Sequence, residues 1–230
     1  MKRYVLSLLL IATLAGFSGA AGDLLLAPQP RESKQIRTTF VLDRSVAIQI
    51  TKDFEEKDRF ALDLLTGGIE NRTGLDLPLQ ALADSPKILL GIAGRDEEIN
   101  ELDIAEVPDS PEGYVLDVGT DRVVIAGRDS AGLFYGVQTF LQLIVEKGTA
   151  YAVPGVWIAD RPESSVRGVM VDSSQGALPK VDMVKRVIEL MAQFKLNRYY
   201  MYAEANVEFT DLPLIGEEGG RYTPEEIAAI

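Results

Sequence analysis

The chain has 230 residues, enough for one large domain or two modest ones, and its 47% hydrophobic and 25% charged composition is typical of a globular protein. A net charge of −12 argues against a nucleic-acid partner, because phosphate binding needs a basic surface. The absence of histidine and cysteine excludes Ser-His-Asp triads, thiolate nucleophiles, disulfides and metal sites with those ligands. Any catalysis must therefore use carboxylate, hydroxyl, lysine or arginine groups, and we expect no metal and no cofactor.

Residues 1–21 predict a cleaved secretory signal peptide. A basic start precedes an apolar stretch from about Val5 to Phe17, and small residues then lead to an expected cleavage near Ala20 or Ala21. A membrane anchor is the alternative, but the apolar stretch is shorter than the ~20 residues that span a bilayer. We expect a secreted or periplasmic bacterial protein with no membrane association after cleavage.

The region 24–94 predicts strands on either side of one helix. Residues 24–50 contain strand-like runs rich in Ile, Val and Thr. Residues 53–72 have a helical apolar period and precede Gly74, a residue typical of a helix end. The predicted apolar face of this helix comprises Phe54, Phe60, Ala61, Leu64 and Leu65. Residues 87–94 predict a short buried strand.

The region 111–150 predicts a hairpin followed by a second helix. Residues 113–119 and 122–127 are two strand-like runs joined by a short turn. Asp129 or Ser130 is expected to cap the helix, and Gly148 to close it. The predicted buried stripe comprises Leu133, Phe134, Val137, Phe140, Leu141, Ile144 and Val145. Residues 24–150 are therefore predicted to form a small α/β domain.

The pattern changes after residue 150. Residues 151–166 are predicted to be a linker in which Trp157 is an apolar plug between two units. Residues 167–230 alternate strand, helix, strand and helix, which is typical of a parallel sheet or a (β/α)₈ barrel. The first of these strands is nearly all apolar, as expected when both faces are covered. The last helix has a capping pattern, with Thr223 as the cap, Pro224 next and Glu226 three residues on.

Acidic residues stand side by side at four places in the sequence. These are Glu55-Glu56, Asp96-Glu97-Glu98, Glu217-Glu218 and Glu225-Glu226. We expect solvated surface charges at these places, with the last pair favoured by the helix dipole. None of them is assigned a catalytic role.

Three segments resemble glycoside hydrolase family 20, the β-N-acetylhexosaminidases. Residues 111–144 resemble the domain that precedes the catalytic barrel of that family. Residues 154–176 resemble the passage into the barrel, with Arg167-Gly168 and Asp172 in matching places. Residues 181–202 resemble the first barrel helix and second strand, including the turn at Lys195–Asn197. The resemblance covers about residues 24–230.

The resemblance implies a zincin-like α/β leading domain without a catalytic role, followed by the first βα units of a truncated TIM barrel. It also implies cleavage of terminal N-acetylhexosamines, with the acetamido oxygen of the substrate as the nucleophile. In the family, an adjacent Asp-Glu pair after the fourth barrel strand assists this reaction. A whole barrel needs about 200–250 residues, so we expect that pair to lie outside this chain.

Four candidate substrate-binding residues follow from the resemblance and from their positions at strand ends. Asp172 ends the first barrel strand, where it either shapes the site or caps the turn. Gln175 stands where the family usually has an arginine that grips sugar hydroxyls. Tyr202 and Glu204 end the next strand, where the family usually has a histidine-containing segment. Arg167, at the start of its strand, is predicted to be structural.

We therefore predict the front part of a secreted exo-glycosidase that acts on an N-acetylhexosamine-containing glycan. The alternatives are a non-catalytic carbohydrate-binding or scaffold protein on a degenerate barrel, or a sibling enzyme such as an α-glucuronidase or an O-GlcNAcase-like glycosidase. The sequence predicts no particular oligomeric state.

Overall fold

The computed structural model describes residues 24–80, 85–100, 107–174, 178–209, 211–212, 214–215 and 220–230. Within these residues a large mixed sheet with helices is followed by a small parallel pair of strands. The predicted signal peptide, Glu217-Glu218 and Gln175 lie outside the described residues.

The large sheet contains seven strands within the described residues. They are β1 (Glu32–Leu42), β2 (Ala47–Ile50), β3 (Lys87–Ile92), β4 (Tyr114–Val118), β5 (Arg122–Gly127), β6 (Val145–Lys147) and β7 (Ala150–Asp160). Their spatial order is β1-β7-β4-β5-β3-β2, with β6 paired to β7. Strands β2, β3 and β5 run parallel, and the remaining pairs are antiparallel. The predicted hairpin is confirmed, since β4 and β5 pair in antiparallel register.

Two helices, α1 (Arg59–Thr73) and α3 (Ser130–Leu143), pack on one face of this sheet, and the short α2 (Glu97–Asn100) lies on the other. The main core lies between the sheet and α1 and α3. Two predicted helix ends are confirmed. Gly74 ends α1 in the left-handed region, with φ of 70°, and the Asp129 carboxylate caps α3 by accepting the Gly132 N–H at 2.8 Å.

The predicted linker is wrong for residues 151–160. These residues belong to β7, which pairs with β1 on one side and with β4 on the other. Pro154 and Gly155 gave the segment a linker-like composition, but Gly155 is required by packing. A Cβ there would lie 2.1 Å from Thr38 Oγ1. Trp157 therefore lies inside the leading sheet and is not an interdomain plug.

Two further expectations for this domain are wrong. Helix α3 ends at Leu143, and the predicted continuation forms β6, whose Val145 is 50% exposed. Gly148 makes the turn between β6 and β7 with φ of 68°. Phe60, predicted to be on the buried face of α1, is 69% exposed and stacks on Phe134 with 5.5 Å between ring centroids.

A buried charge network lies beyond the carboxyl ends of β2, β3 and β5, where solvated acids were expected. Asp58 and Asp96 are fully buried, and Arg95 binds Asp58 at 2.5 Å and Asp96 at 2.9 Å. Thr51 Oγ1 donates to Asp96 at 2.7 Å, and Ser130 Oγ donates to Asp58 at 2.6 Å. Burial alone would raise the pKa of Asp96, but its hydrogen bonds outweigh burial and leave the pKa below the ordinary value.

The second part of the chain forms a βαβ unit and a short helix. Strands β8 (Gly168–Asp172) and β9 (Arg198–Tyr202) pair in parallel, with α4 (Val181–Gln193) between them in the chain. Helix α5 (Pro224–Ala229) begins with the predicted capping box of Thr223 and Glu226. The expectation that both faces of β8 are covered is not met within the described residues, since Met170 is 68% exposed.

Candidate functional site

The carboxyl ends of β8 and β9 bring two of the predicted site residues together. Asp172 and Tyr202 are direct partners in the parallel register. Side chains at this end of parallel strands are where ligands bind in α/β folds. We call the segment formed by Asp172–Ser174 and Tyr202–Asn206 the rim.

Asp172 both shapes the turn and presents an acceptor to solvent. Its Oδ1 accepts the Ser174 hydroxyl at 2.5 Å and the Ser174 N–H at 2.9 Å. These two hydrogen bonds, the hydroxyl first, hold the pKa of the Asp172 carboxyl below its usual value. The carboxylate is therefore ionised at neutral pH. Its Oδ2 makes no hydrogen bond to the described residues and can accept one from a ligand.

Tyr202 and Glu204 form a pair on the same rim. The Tyr202 hydroxyl donates to Glu204 Oε1 at 3.2 Å, and Tyr202 is 46% exposed. The Glu204 carboxylate, with a smaller contribution from Asp172, raises the pKa of the Tyr202 hydroxyl. The rim thus combines an aromatic ring, a hydroxyl and two carboxylates, a set that can stack on a sugar and bind its hydroxyls.

A buried residue that the sequence did not predict, Asn206, holds the rim in place. Asn206 Nδ2 donates to the Ser173 carbonyl at 3.0 Å, and Ser173 Oγ donates to the Tyr202 carbonyl at 3.2 Å. The Tyr222 N–H donates to the Asn206 carbonyl at 2.8 Å, while its hydroxyl donates to the Pro179 carbonyl. Asn206 lies four residues beyond β9, and no sequence signal separates it from other loop residues.

Arg167 lies at the opposite end of β8, where it joins the βαβ unit to the leading sheet. Its guanidinium donates to the Lys195 carbonyl at 2.8 Å, the Ser164 carbonyl at 2.6 Å and Glu112 Oε2 at 2.5 Å. It also lies 5.6 Å from the centre of the Tyr135 ring. The guanidinium thus contacts groups of both parts of the chain, and a structural role stays the prediction for Arg167.

A second, buried ion pair completes this junction. Lys195 Nζ lies 2.8 Å from Asp160 Oδ2 and 2.7 Å from the Tyr114 hydroxyl, and both charged side chains are 9% exposed. The Tyr114 hydroxyl also lies 2.7 Å from Thr139 Oγ1. Burial lowers the pKa of the Lys195 ammonium and raises the pKa of Tyr114, although Asp160 counteracts the shift at Lys195.

The junction leaves a crevice of about 440 Å³ between the two parts of the chain, lined by Arg31, Phe194 and the residues of both ion pairs. Each of these charged side chains has a partner. The two ion pairs are described above, and Arg31 pairs with Glu163 at 2.7 Å. The described residues contain no group of three or more acidic side chains placed to hold a metal ion. Nor does any helix among them have the length and apolar character needed to cross a bilayer.

The family of this chain follows from its similarity to known proteins. The profile of glycosyl hydrolase family 20, domain 2, matches residues 24–161, which contain the large sheet and its helices. The chain belongs to glycosyl hydrolase family 20. The matched range ends one residue after β7, so it contains the whole of that strand.

Relatives within family 20 are longer than this chain. A β-hexosaminidase of Porphyromonas gingivalis is 35% identical over 128 residues, which are 51% of this chain and 16% of that protein. A chitooligosaccharidolytic β-N-acetylglucosaminidase of Bombyx mori is 26% identical over 80% of this chain and 32% of its own length. The chain therefore spans between about a sixth and a third of the length of these two curated relatives.

Solved family 20 structures share the fold of both parts of the chain. The β-N-acetylhexosaminidase of Streptomyces coelicolor superposes with a TM-score of 0.71 at 26% identity, covering 87% of this chain and 42% of that one. The exo-β-N-acetylglucosaminidase of Vibrio harveyi superposes with a TM-score of 0.72 over 88% of this chain and 33% of that chain. Its identity of 21% supports the fold alone.

Proposed function

We propose that this chain is the N-terminal part of a secreted exo-glycosidase that removes terminal N-acetylhexosamine residues from glycans. The observation that carries the proposal is the pairing of Asp172 with Tyr202 at the carboxyl ends of two parallel strands, in a chain that belongs to family 20. Relatives named β-hexosaminidase and β-N-acetylglucosaminidase support the sugar class.

In this proposal the large sheet is the zincin-like leading domain and the βαβ unit is the beginning of a TIM barrel. Asp172 Oδ2, Tyr202 and Glu204 contribute hydroxyl contacts at the sugar. Gln175 follows Asp172 by three residues and is assigned a neutral hydrogen bond to the same ligand. Cleavage uses the acetamido group of the substrate, assisted by an Asp-Glu pair supplied by another part of the protein.

Export through a cleaved signal peptide at residues 1–21 is part of the same proposal. It rests on the basic, apolar and small-residue order of that segment. N-terminal sequencing of the protein recovered from the periplasm or the medium tests it, with a mature end near residue 21 as the expected result. Recovery of the intact N-terminus would contradict cleavage.

The main test separates binding by the rim from catalysis. Titration of the chain with N-acetylglucosamine, monitored by NMR, should shift the signals of rim residues. Asp172→Asn should weaken binding of this sugar about tenfold, because a hydrogen bond to a charged group is lost. Asp182→Asn, at an exposed position in the first turn of α4, is the matched control and should bind like the unaltered chain. The chain alone should not hydrolyse a chromogenic N-acetylglucosaminide.

Two results would overturn parts of this proposal. Hydrolysis by the 230-residue chain that is abolished by Glu204→Gln would place the catalytic machinery on the rim itself. Equal binding by Asp172→Asn and Asp182→Asn would remove Asp172 from the site.

The uncharged Gln175 favours one alternative, a non-catalytic carbohydrate-binding protein. In that case the longer gene product would bind the sugar without turnover. A sibling glycosidase would instead turn over glucuronides or O-linked N-acetylglucosamine.

A further inference from the structure

Trp157, the single tryptophan of the chain, lies on the sheet face that points away from α1 and α3. Its neighbours Val156 and Ile158 are fully buried in the core between the sheet and these helices. Because side chains alternate along a strand, the indole lies on the opposite face, where it is partly exposed. A large aromatic side chain at such a position contributes little to the main core.

Two charged residues flank the indole on adjacent strands. Lys34 of β1 and Asp117 of β4 are the direct cross-strand partners of Trp157, so all three side chains share one face. Three neighbouring strands span about 10 Å. Neither the Lys34 ammonium nor the Asp117 carboxylate makes a hydrogen bond or ion pair to another described residue. Burial raises the pKa of Asp117, an effect that the charge of Arg122 opposes.

Two side-chain groups at and near Trp157 have no hydrogen-bond partner among the described residues. Strand β1 has an irregularity between Gln35 and Thr39, opposite Gly155. Within it, Thr38 Oγ1 lies 2.1 Å from the position that a Cβ of Gly155 would take. Thr38 Oγ1 and Trp157 Nε1 are both buried and have no hydrogen-bond partner. Native structures rarely leave such groups unpaired, and ligand sites are one place where they do.

We propose that Lys34, Trp157 and Asp117 form a second carbohydrate-binding site, which we call the back site. The indole offers a flat apolar surface to the ring of a pyranose, Lys34 donates to its hydroxyl oxygens, and Asp117 accepts from its hydroxyl groups. One cation and one anion flank the ring, a combination that suits a neutral sugar chain better than a polyanion. The sugar class rests on the proposed function.

The location of the back site suits the capture of a long glycan. Helix α3 contacts α4 on the other side of the leading sheet, where Gln142 of α3 donates to the Gln193 carbonyl at 3.3 Å. The βαβ unit therefore packs on the helix side, and the back site faces away from it. A polymer bound there would tether the protein to its substrate without occupying the rim.

The single tryptophan makes the proposal directly testable in the 230-residue chain. Titration with chitohexaose should produce a saturable change in Trp157 fluorescence. Lys34→Ala and Asp117→Asn should each weaken binding about five- to tenfold, the loss expected for one hydrogen bond. Lys185→Ala, an exposed lysine of α4, is the matched control and should titrate like the unaltered chain. Calorimetry of Trp157→Phe should show binding weakened by a similar factor or more.

The outcomes separate the back site from the rim. An unchanged fluorescence up to saturating chitohexaose, or an equal response in the Lys34, Asp117 and Lys185 variants, would overturn the back site and leave the rim result untouched. A fluorescence change that depends on protein concentration and not on sugar would show a second copy of the chain on this face, which also overturns the proposal. Asp172→Asn should weaken only rim binding and leave the Trp157 signal saturable.

Discussion

Replacing Lys195 by methionine tests whether the buried ion pair holds the two parts of the chain together. The substitution keeps a long unbranched side chain but leaves Asp160 buried with its charge unpaired. Removal of one partner from a buried pair costs about 3–5 kcal/mol, and the 9% exposure of both side chains places this pair in that class. Asp160 keeps hydrogen bonds from the Arg31 N–H at 3.1 Å and the Tyr114 hydroxyl at 3.1 Å, which favours the lower end of the range.

Urea unfolding monitored by far-UV circular dichroism gives the measurement. With a slope of about 3 kcal/mol per molar urea, the loss should lower the midpoint by about 1 M. Asp160→Asn in the Lys195→Met background removes the unpaired charge and should recover part of the loss. A midpoint for Lys195→Met within about 0.2 M of the unaltered chain would refute the reasoning, because the pair would then contribute no more than an exposed one.

Two further predictions concern the leading domain and the last helix. Arg95→Leu leaves Asp58 and Asp96 buried without their cation and should cost about 3–5 kcal/mol by urea unfolding at neutral pH. Because the pKa of Asp96 is lowered in the folded state, the stability that its ionised form contributes is present above about pH 4 and is lost as the pH falls further. The free energies of unfolding of the unaltered chain and of Arg95→Leu should therefore converge in acid. A difference between them that stays constant with pH would contradict this. Thr223→Ala should cost α5 about 1 kcal/mol, seen as faster hydrogen exchange at the Glu226 amide, and unchanged protection would rule out the cap.

Local chemical signals made several elements of this fold predictable from the sequence. Thr223 was predicted as a cap, and the cap of α3 was narrowed to Asp129 or Ser130, because a side-chain oxygen before a helix satisfies amide groups only a few residues away. Gly74 was predictable for a similar reason, since the helix end needs a left-handed residue. In each case the residue and its partner lie within one turn of each other, so the sequence contains both.

Strand β7 was not predictable by the same means. Its Pro154 and Gly155 have the composition of a linker, and the partners that make it a strand lie more than a hundred residues earlier in β1 and about forty residues earlier in β4. Gly155 is required by Thr38, a contact between distant segments. Composition alone cannot reveal such a pairing, and the predicted domain boundary was therefore about ten residues too early.

The candidate site likewise contains some residues that the sequence predicted and one that it did not. Asp172 and Tyr202 were each predicted as site residues because each ends a predicted barrel strand, and the register places them side by side. Asn206 was missed because its importance comes from the groups it joins, the Ser173 carbonyl and the Tyr222 N–H, which belong to two other loops. Alternation of strands and helices predicts the edge of a sheet but not the hydrogen bonds between its loops.

The junction between the two parts of the chain is where tertiary contacts override local backbone preference most clearly. Among the described residues, the non-glycine residues with positive φ are Glu112, at 63°, and Lys195, at 58°. Each such residue costs about 1–2 kcal/mol, and it persists only where its surroundings determine it. Here the surroundings are the junction itself, since Glu112 pairs with Arg167 and Lys195 pairs with Asp160. Because Arg167 begins the approach to β8 and Lys195 the approach to β9, the leading sheet fixes the start of both strands whose far ends form the rim.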